Sequence, residues 1–120
     1  MTKKNIALLI DDDVVLLKMA EEMLRDSYDV SLAKSGENAL RLLTRGFTPD
    51  IILLDVDMPT MDGYETICRL REVENCEDIP IIFLTGFSQP EAELKGFNLG
   101  AADYVTKPFV KEILLTRMEL

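Results

Sequence analysis

Asp55 closes a run of four aliphatic residues, Ile51-Ile52-Leu53-Leu54, and is followed by a turn marked by Pro59 and Gly63. A short apolar run bounded by turn residues reads as a fully buried strand. A carboxylate at the carboxyl end of such a strand stands where open α/β sheets bind their ligands, which makes Asp55 a candidate reactive group. Other polar residues end comparable runs. Asp11-Asp12-Asp13 follows Ile6–Ile10, Thr85-Gly86 follows Ile79–Leu84, and Thr106-Lys107-Pro108 follows Tyr104-Val105. Two adjacent charges at the end of a buried strand cost stability unless compensated, so Asp11 and Asp12 call for a positive partner. Hard oxygen donors without imidazole or thiolate suit Mg²⁺. A metal-bound carboxylate beside a lysine and a hydroxyl is equipped to attack phosphorus and form an aspartyl phosphate.

Each of these residues also has a plainer role. Asp13 reads more readily as the N-cap of a helix than as a ligand, and Asp62 before Gly63 as turn and cap chemistry. Thr85 alone is an ordinary strand-end residue, and Lys107 alone an ordinary surface lysine. It is their common placement that carries weight.

The elements that must position them follow from periodicity. Strong strand candidates are Ile6–Ile10, Ile51–Leu54 and Ile79–Leu84, with weaker ones at Val30–Ala33 and Asp103–Val105. Between them run helical stripes: Leu16, Ala20, Met23 and Leu24, then Ala39, Leu40, Leu42 and Leu43. Ser35 caps the second helix and Gly46 stops it. Asp62-Gly63 opens the third. Ser88-Gln89-Pro90-Glu91 forms a capping box for the fourth, which Gly100 closes, and Phe109 begins the fifth. Strands alternating with helices imply a largely parallel sheet covered on both faces. The expected fold is α/β and flavodoxin-like, (βα)5, with a five-stranded parallel sheet in the order 2-1-3-4-5. In that order the polar strand ends all fall at one edge.

Bulk properties bound the function. At 120 residues the chain is one domain. Its net charge of −9 argues against direct nucleic-acid binding. No apolar run reaches membrane-span length, and Ile6–Ile10 is too short for a signal-peptide core, so a cytoplasmic protein is expected. Cys68 and Cys76 lack the partners of a zinc site. With no histidine, Ser-His-Asp and Cys-His catalysis are excluded. The chain cannot carry a phosphohistidine, though it can accept a phosphoryl group from one.

These residues resemble the receiver domain of two-component response regulators over the whole chain. The resemblance rests on the acidic pair after the first strand, on Leu54-Asp55-Val56-Asp57-Met58-Pro59 continuing to Met61-Asp62-Gly63, on Thr85, and on Lys107-Pro108-Phe109. It implies that Asp55 accepts a phosphoryl group from a sensor histidine kinase or a histidine phosphotransfer protein. It implies Mg²⁺ held by the Asp12 and Asp55 carboxylates and the Asp57 backbone carbonyl, with Asp11 acting largely through a bound water. Lys107 would pair with Asp55 and then with the phosphoryl group, across a cis bond to Pro108. Thr85 would swing toward the phosphoryl oxygen and Tyr104 would follow inward, changing the surface of helix 4, strand 5 and helix 5. The triple aspartate leaves the register open by one residue; Asp11 and Asp12 are chosen because Ile10 most naturally ends the strand.

Residues 1–120 are thus expected to be a receiver domain forming the N-terminal part of a longer protein, with a downstream output domain and homodimerisation through helix 4, strand 5 and helix 5. The Lys95–Phe109 segment looks similar to receivers preceding cyclic-di-GMP enzymes or kinase-linked modules, a pattern DNA-binding regulators share. Such a chain is no enzyme beyond its own phosphorylation and dephosphorylation. Two other readings compete. Asp55-Val56-Asp57 resembles the nucleophile motif of haloacid-dehalogenase-type phosphatases, but Pro59 stands where that motif has threonine and Thr60 comes one place late. A degenerate receiver would serve only as an interaction module. Gly86, without a side chain beside Thr85, would leave the phosphoryl site unusually open.

Overall fold

A computed structural model gives the structure, describing residues 3–86 and 90–119. Five strands and five helices alternate: β1 (Asn5–Ile10), α1 (Val14–Leu24), β2 (Tyr28–Ala33), α2 (Gly36–Thr44), β3 (Ile51–Asp55), α3 (Gly63–Leu70), β4 (Ile81–Thr85), α4 (Pro90–Asn98), β5 (Asp103–Thr106) and α5 (Lys111–Met118). All strand pairs are parallel and the order is β2-β1-β3-β4-β5. This is the flavodoxin-like arrangement expected from the apolar runs.

Strand side chains alternate between faces, and here both faces are packed. Leu8, Ile10, Ile52, Leu54, Ile81 and Phe83 meet Ala39, Leu43, Ile67 and Leu70 of α2 and α3. Ala7, Leu9, Ile51, Leu53, Ile82 and Leu84 meet Leu17, Ala20 and Leu24 of α1 and Leu114 and Met118 of α5. Burial on both sides explains why the central strands read as continuous apolar runs rather than as alternating ones.

Caps follow the sequence closely. Asp13 accepts from the Val15 and Leu16 amides, Ser35 from Asn38, and Asp62 from Glu65. Gly46 and Gly100 take the positive φ that ends a helix, 100° and 102°. Ser88 and Gln89 of the expected capping box lie outside the described residues.

Three boundaries differ from expectation by two residues. β2 begins at Tyr28, whose neighbour across the ladder is Asn5; polar Asp29 hides this extension from a search for apolar runs. β4 begins at Ile81 because Pro80 has no N–H for the ladder, although its carbonyl accepts from Ile52. α5 begins at Lys111, not Phe109: Phe109 is buried among the α1 and α5 side chains, and Val110 is an extended N-cap residue. Half-buried Arg71 joins the α3–β4 and α4–β5 connections, donating to the carbonyls of Cys76, Ile79 and Gly100. Among the described residues no helix is long and apolar enough to cross a membrane.

Candidate functional site

Alternation along the strands decides which polar groups converge. Asp11 continues the face of Ala7 and Leu9, Asp55 that of Ile51 and Leu53, and Lys107 that of Val105. Backbone bonds extend the ladder past the strand ends. Asp11 donates its amide to Ala33, Val56 to Leu84 and Lys107 to Thr85. β1 ends at Ile10, so Asp11 and Asp12 are the residues presented. The three groups therefore meet at one edge of the sheet, where the sequence places them.

Lys107 Nζ donates to Asp55 Oδ1 at 2.8 Å and to Asp11 Oδ2 at 2.9 Å. Asp11 and Asp55 are only 1% and 3% exposed, so the ammonium bridges two buried carboxylates. Carboxylate oxygens of Asp11, Asp12 and Asp55 lie within 4.8 Å of one another. Set against the single ammonium, these three carboxylates leave two negative charges, and all their donors are oxygen. That set fits a divalent hard cation. The Asp57 side chain is exposed and outside the cluster.

The electrostatics follow from this crowding. The Asp55 carboxyl is pushed up from 3.8 to about 6, by burial first and then by the charges of Asp11 and Asp12, while Lys107 pulls the other way. Burial alone would lower the Lys107 ammonium, but its bonds to Asp55 and Asp11 outweigh that and raise it. Asp55 is thus a more basic carboxylate than usual, held next to a cation that stays charged.

The β3–α3 loop is fixed tightly against Asp55. Met58 and Met61 are buried on either side of Thr60, whose φ of 70° is strained for a β-branched residue. Gly63 donates its amide to the Val56 carbonyl at 2.8 Å. A Cβ on Gly63 would lie 2.4 Å from the Asp55 carbonyl oxygen and 2.9 Å from Val56 Cα. Read in the sequence only as a turn and cap residue, Gly63 also allows α3 to close on the Asp55 backbone. Gly63→Ala is expected to cost about 1–3 kcal/mol, the usual range for overpacking. Urea unfolding checks this, and an alanine variant as stable as the parent would contradict it.

The remaining expected residues lie at the ends of β4 and β5 and beside them. Thr85 is buried at the end of β4, and next to it a Cβ on Gly86 would meet nothing within 4 Å. The bond from Lys107 to Pro108 is cis. The Tyr104 ring is buried, with the hydroxyl donating to the Ala92 carbonyl at 2.6 Å. Cys68 and Cys76 are free thiols, the first exposed and the second buried.

Residues 7–119 match the family described as the response regulator receiver domain. A relative from Vibrio cholerae, named a probable cyclic di-GMP phosphodiesterase, is 41% identical over 111 residues, covering 92% of this chain and 25% of that protein. The structure of the V. cholerae chemotaxis protein CheY4 superposes with a TM-score of 0.88 at 32% identity, covering 94% of each chain. The receiver domain of the sensor histidine kinase PA1611 from Pseudomonas aeruginosa, with a magnesium ion coordinated in its active-site cleft, gives 0.85 at 33% identity, covering 94% and 93%. This chain spans from a quarter to about half the length of the first curated relatives it matches.

Proposed function

The chain belongs to the response regulator receiver domain family, whose members act in two-component phosphorelays, and from that premise we propose that Asp55 is its phospho-acceptor. The donor is a phosphohistidine on a sensor histidine kinase or a histidine phosphotransfer protein. The observation that carries this is the buried Asp55 carboxylate bonded to Lys107 within the Asp11–Asp12–Asp55 cluster.

The chemistry follows from the arrangement. An Asp55 carboxylate oxygen attacks phosphorus. The P–N bond to the partner's imidazole breaks, and its electron pair stays on that nitrogen. Lys107 holds Asp55 in place before transfer and pairs with a phosphoryl oxygen afterward, so a positive charge faces the transferring group throughout. Thr85 supplies a hydroxyl for another phosphoryl oxygen. Asp12 and Asp55 would hold Mg²⁺ through their carboxylates and Asp57 through its backbone carbonyl, with Asp11 acting through water. When bound, the ion supplies charge neutralisation of the phosphoryl oxygens.

Phosphorylation then biases the surface built by α4, β5 and α5, a local charge event acting on a two-state element. That face carries a groove of about 520 Å³ lined by Phe97, Tyr104, Val110, Ile113 and Arg117, in which Arg117 pairs with Asp103. Exposed Phe97, Val110 and Ile113 suit contact with an output segment or a second copy of the chain. The greater length of the first curated relatives supports reading this chain as one part of a longer regulator, acting in the cytoplasm, where its two free thiols are at home. Its turnover is limited to its own acyl phosphate.

Incubation with acetyl phosphate and Mg²⁺ tests the reading. One phosphoryl group per chain is expected, with none gained when EDTA removes the metal. Sustained release of p-nitrophenol from p-nitrophenyl phosphate would instead indicate a phosphatase. The exposed Asp57 carboxylate, two residues beyond the acceptor, can accept a proton from attacking water. Asp57→Asn is expected to change the rate at which the phosphoryl group is lost. An unchanged half-life, followed by intact mass, would rule that role out.

A further inference from the structure

The loop that carries Asp57 is held by packing rather than by its own bonds. Among the described residues Asp57, Met58 and Thr60 make no hydrogen bond. Within the loop the Met61 amide donates to the Pro59 carbonyl at 2.8 Å. That bond closes a three-residue turn around Thr60, whose φ is 70°, which is the rarer and strained form of γ-turn. Such a turn keeps its shape only where its surroundings fix it.

Those surroundings are α2 and α3. Met58 packs in the cluster that includes Ala39 and Leu43 of α2, and Met61 is buried. On α3, Thr66 is wholly buried, and its hydroxyl donates to the Asp62 carbonyl at 2.8 Å. Facing both Met61 and Thr66 is Gly36, the first residue of α2 and itself buried. A Cβ on Gly36 would overlap the Thr66 hydroxyl oxygen and lie 3.0 Å from Met61 Sδ and 3.3 Å from Thr66 Cβ. Its φ is not positive, so the glycine supplies space rather than a special conformation. The loop is thus clamped from two sides by contacts with no room for a Cβ: Gly63 against the Asp55 backbone, and Gly36 against Thr66 and Met61.

We propose that Gly36 is a positioning residue for the metal site: by letting the N-terminus of α2 close on Thr66 and Met61, it fixes the loop and with it the backbone carbonyl of Asp57. Gly36 is no ligand itself and acts through those two side chains. The inference rests on the ligand role given above to the Asp57 carbonyl. A residue that holds a ligand in place shows itself in metal affinity, whereas a merely structural contact shows itself in stability alone.

Titration of the full chain with Mg²⁺, followed by amide NMR shifts, tests this beside thermal unfolding in EDTA. Gly36→Ala is expected to lower Tm and to raise the Mg²⁺ Kd about tenfold, the low end of the loss when a residue supporting a metal ligand is changed. In Gly36→Ala/Thr66→Ala the added Cβ fills space that the threonine vacates, and Kd is expected to return toward the parent value. Gly36→Ala with the parent's Kd, whatever its Tm, would overturn the proposal, as would a double variant that binds no more tightly than Gly36→Ala. If Gly36→Ala does not fold, Thr66→Ala decides, because the gap it leaves loosens the same clamp: a raised Kd is expected, and the parent's Kd would overturn the proposal. A parent chain that binds no Mg²⁺ would defeat the metal-site reading and this role together, whereas a parent and variants that bind equally defeat the role of Gly36 alone.

Discussion

Replacing Lys107 with alanine is expected to cost the metal-free protein about 3 kcal/mol at neutral pH, the lower end of the cost of removing one partner of a buried ion pair. Phosphoryl uptake is expected to fall at least about tenfold, because a cation facing the phosphoryl oxygens contributes transition-state stabilisation of that order or more. The stability loss has a clear origin. Lys107 bridges Asp11 and Asp55 at 2.9 and 2.8 Å, and without it two buried carboxylates face each other uncompensated. The ammonium's folded-state pKa lies above its ordinary 10.5, so its contribution is complete at neutral pH and is lost only as pH rises through that folded value. A carboxylate held above its ordinary pKa also loses stability as pH rises, but in the acidic range rather than the alkaline one. The Lys107→Ala protein should therefore be most penalised near neutrality, recover on acidification, and recover with millimolar Mg²⁺. Urea unfolding with and without Mg²⁺ measures all three. A variant as stable as the parent in metal-free buffer would show that the bridge carries no weight.

Asp55→Asn should do the reverse. The folded-state carboxyl titrates near 6 against 3.8 ordinarily, so between those values the folded protein binds more proton than the unfolded chain. Stability consequently falls as pH rises through that window. A shift of about two units corresponds to about 3 kcal/mol, and part of the gain is lost because asparagine is a weaker partner for Lys107. The variant is expected to be about 1–3 kcal/mol more stable than the parent at neutral pH without metal, with the difference closing near pH 4. Urea midpoints across that range check the sign. An asparagine variant less stable at neutral pH would mean that burial and the neighbouring charges do not penalise the ionised Asp55 carboxylate. Mg²⁺ should narrow the gap from the other side, by stabilising the parent alone.

Much of this was legible in the sequence because buried parallel strands are apolar on both faces. Ile6–Ile10 and Ile51–Leu54 announce themselves, and the residue ending each run is then at the binding edge. The triple aspartate begins where β1 ends, because the last aliphatic residue, Ile10, closes the ladder. Less visible was what depends on contact between elements. Tyr28 pairs with Asn5 through backbone alone, and β4 starts late because Pro80 lacks a donor. Phe109 is core rather than helix, although its position after Lys107-Pro108 reads equally as a helix start. Gly96 carried a signal that periodicity does not interpret: a glycine within a helical segment, four residues before the one that ends it. Only the approach of Tyr104 from β5 explains it. Gly63 likewise reads as a turn residue until the Asp55 carbonyl is seen beside it.

The central claim is that Asp55, and no other aspartate of the cluster, forms the acyl phosphate. Phosphorylation with acetyl phosphate and Mg²⁺, followed by borohydride reduction and peptide sequencing by mass spectrometry, tests it most directly, since reduction converts a phosphorylated aspartate to homoserine. The predicted result is homoserine at position 55 alone, absent from Asp55→Asn. Homoserine at Asp11, Asp12 or Asp57 instead, or at no position, would contradict it.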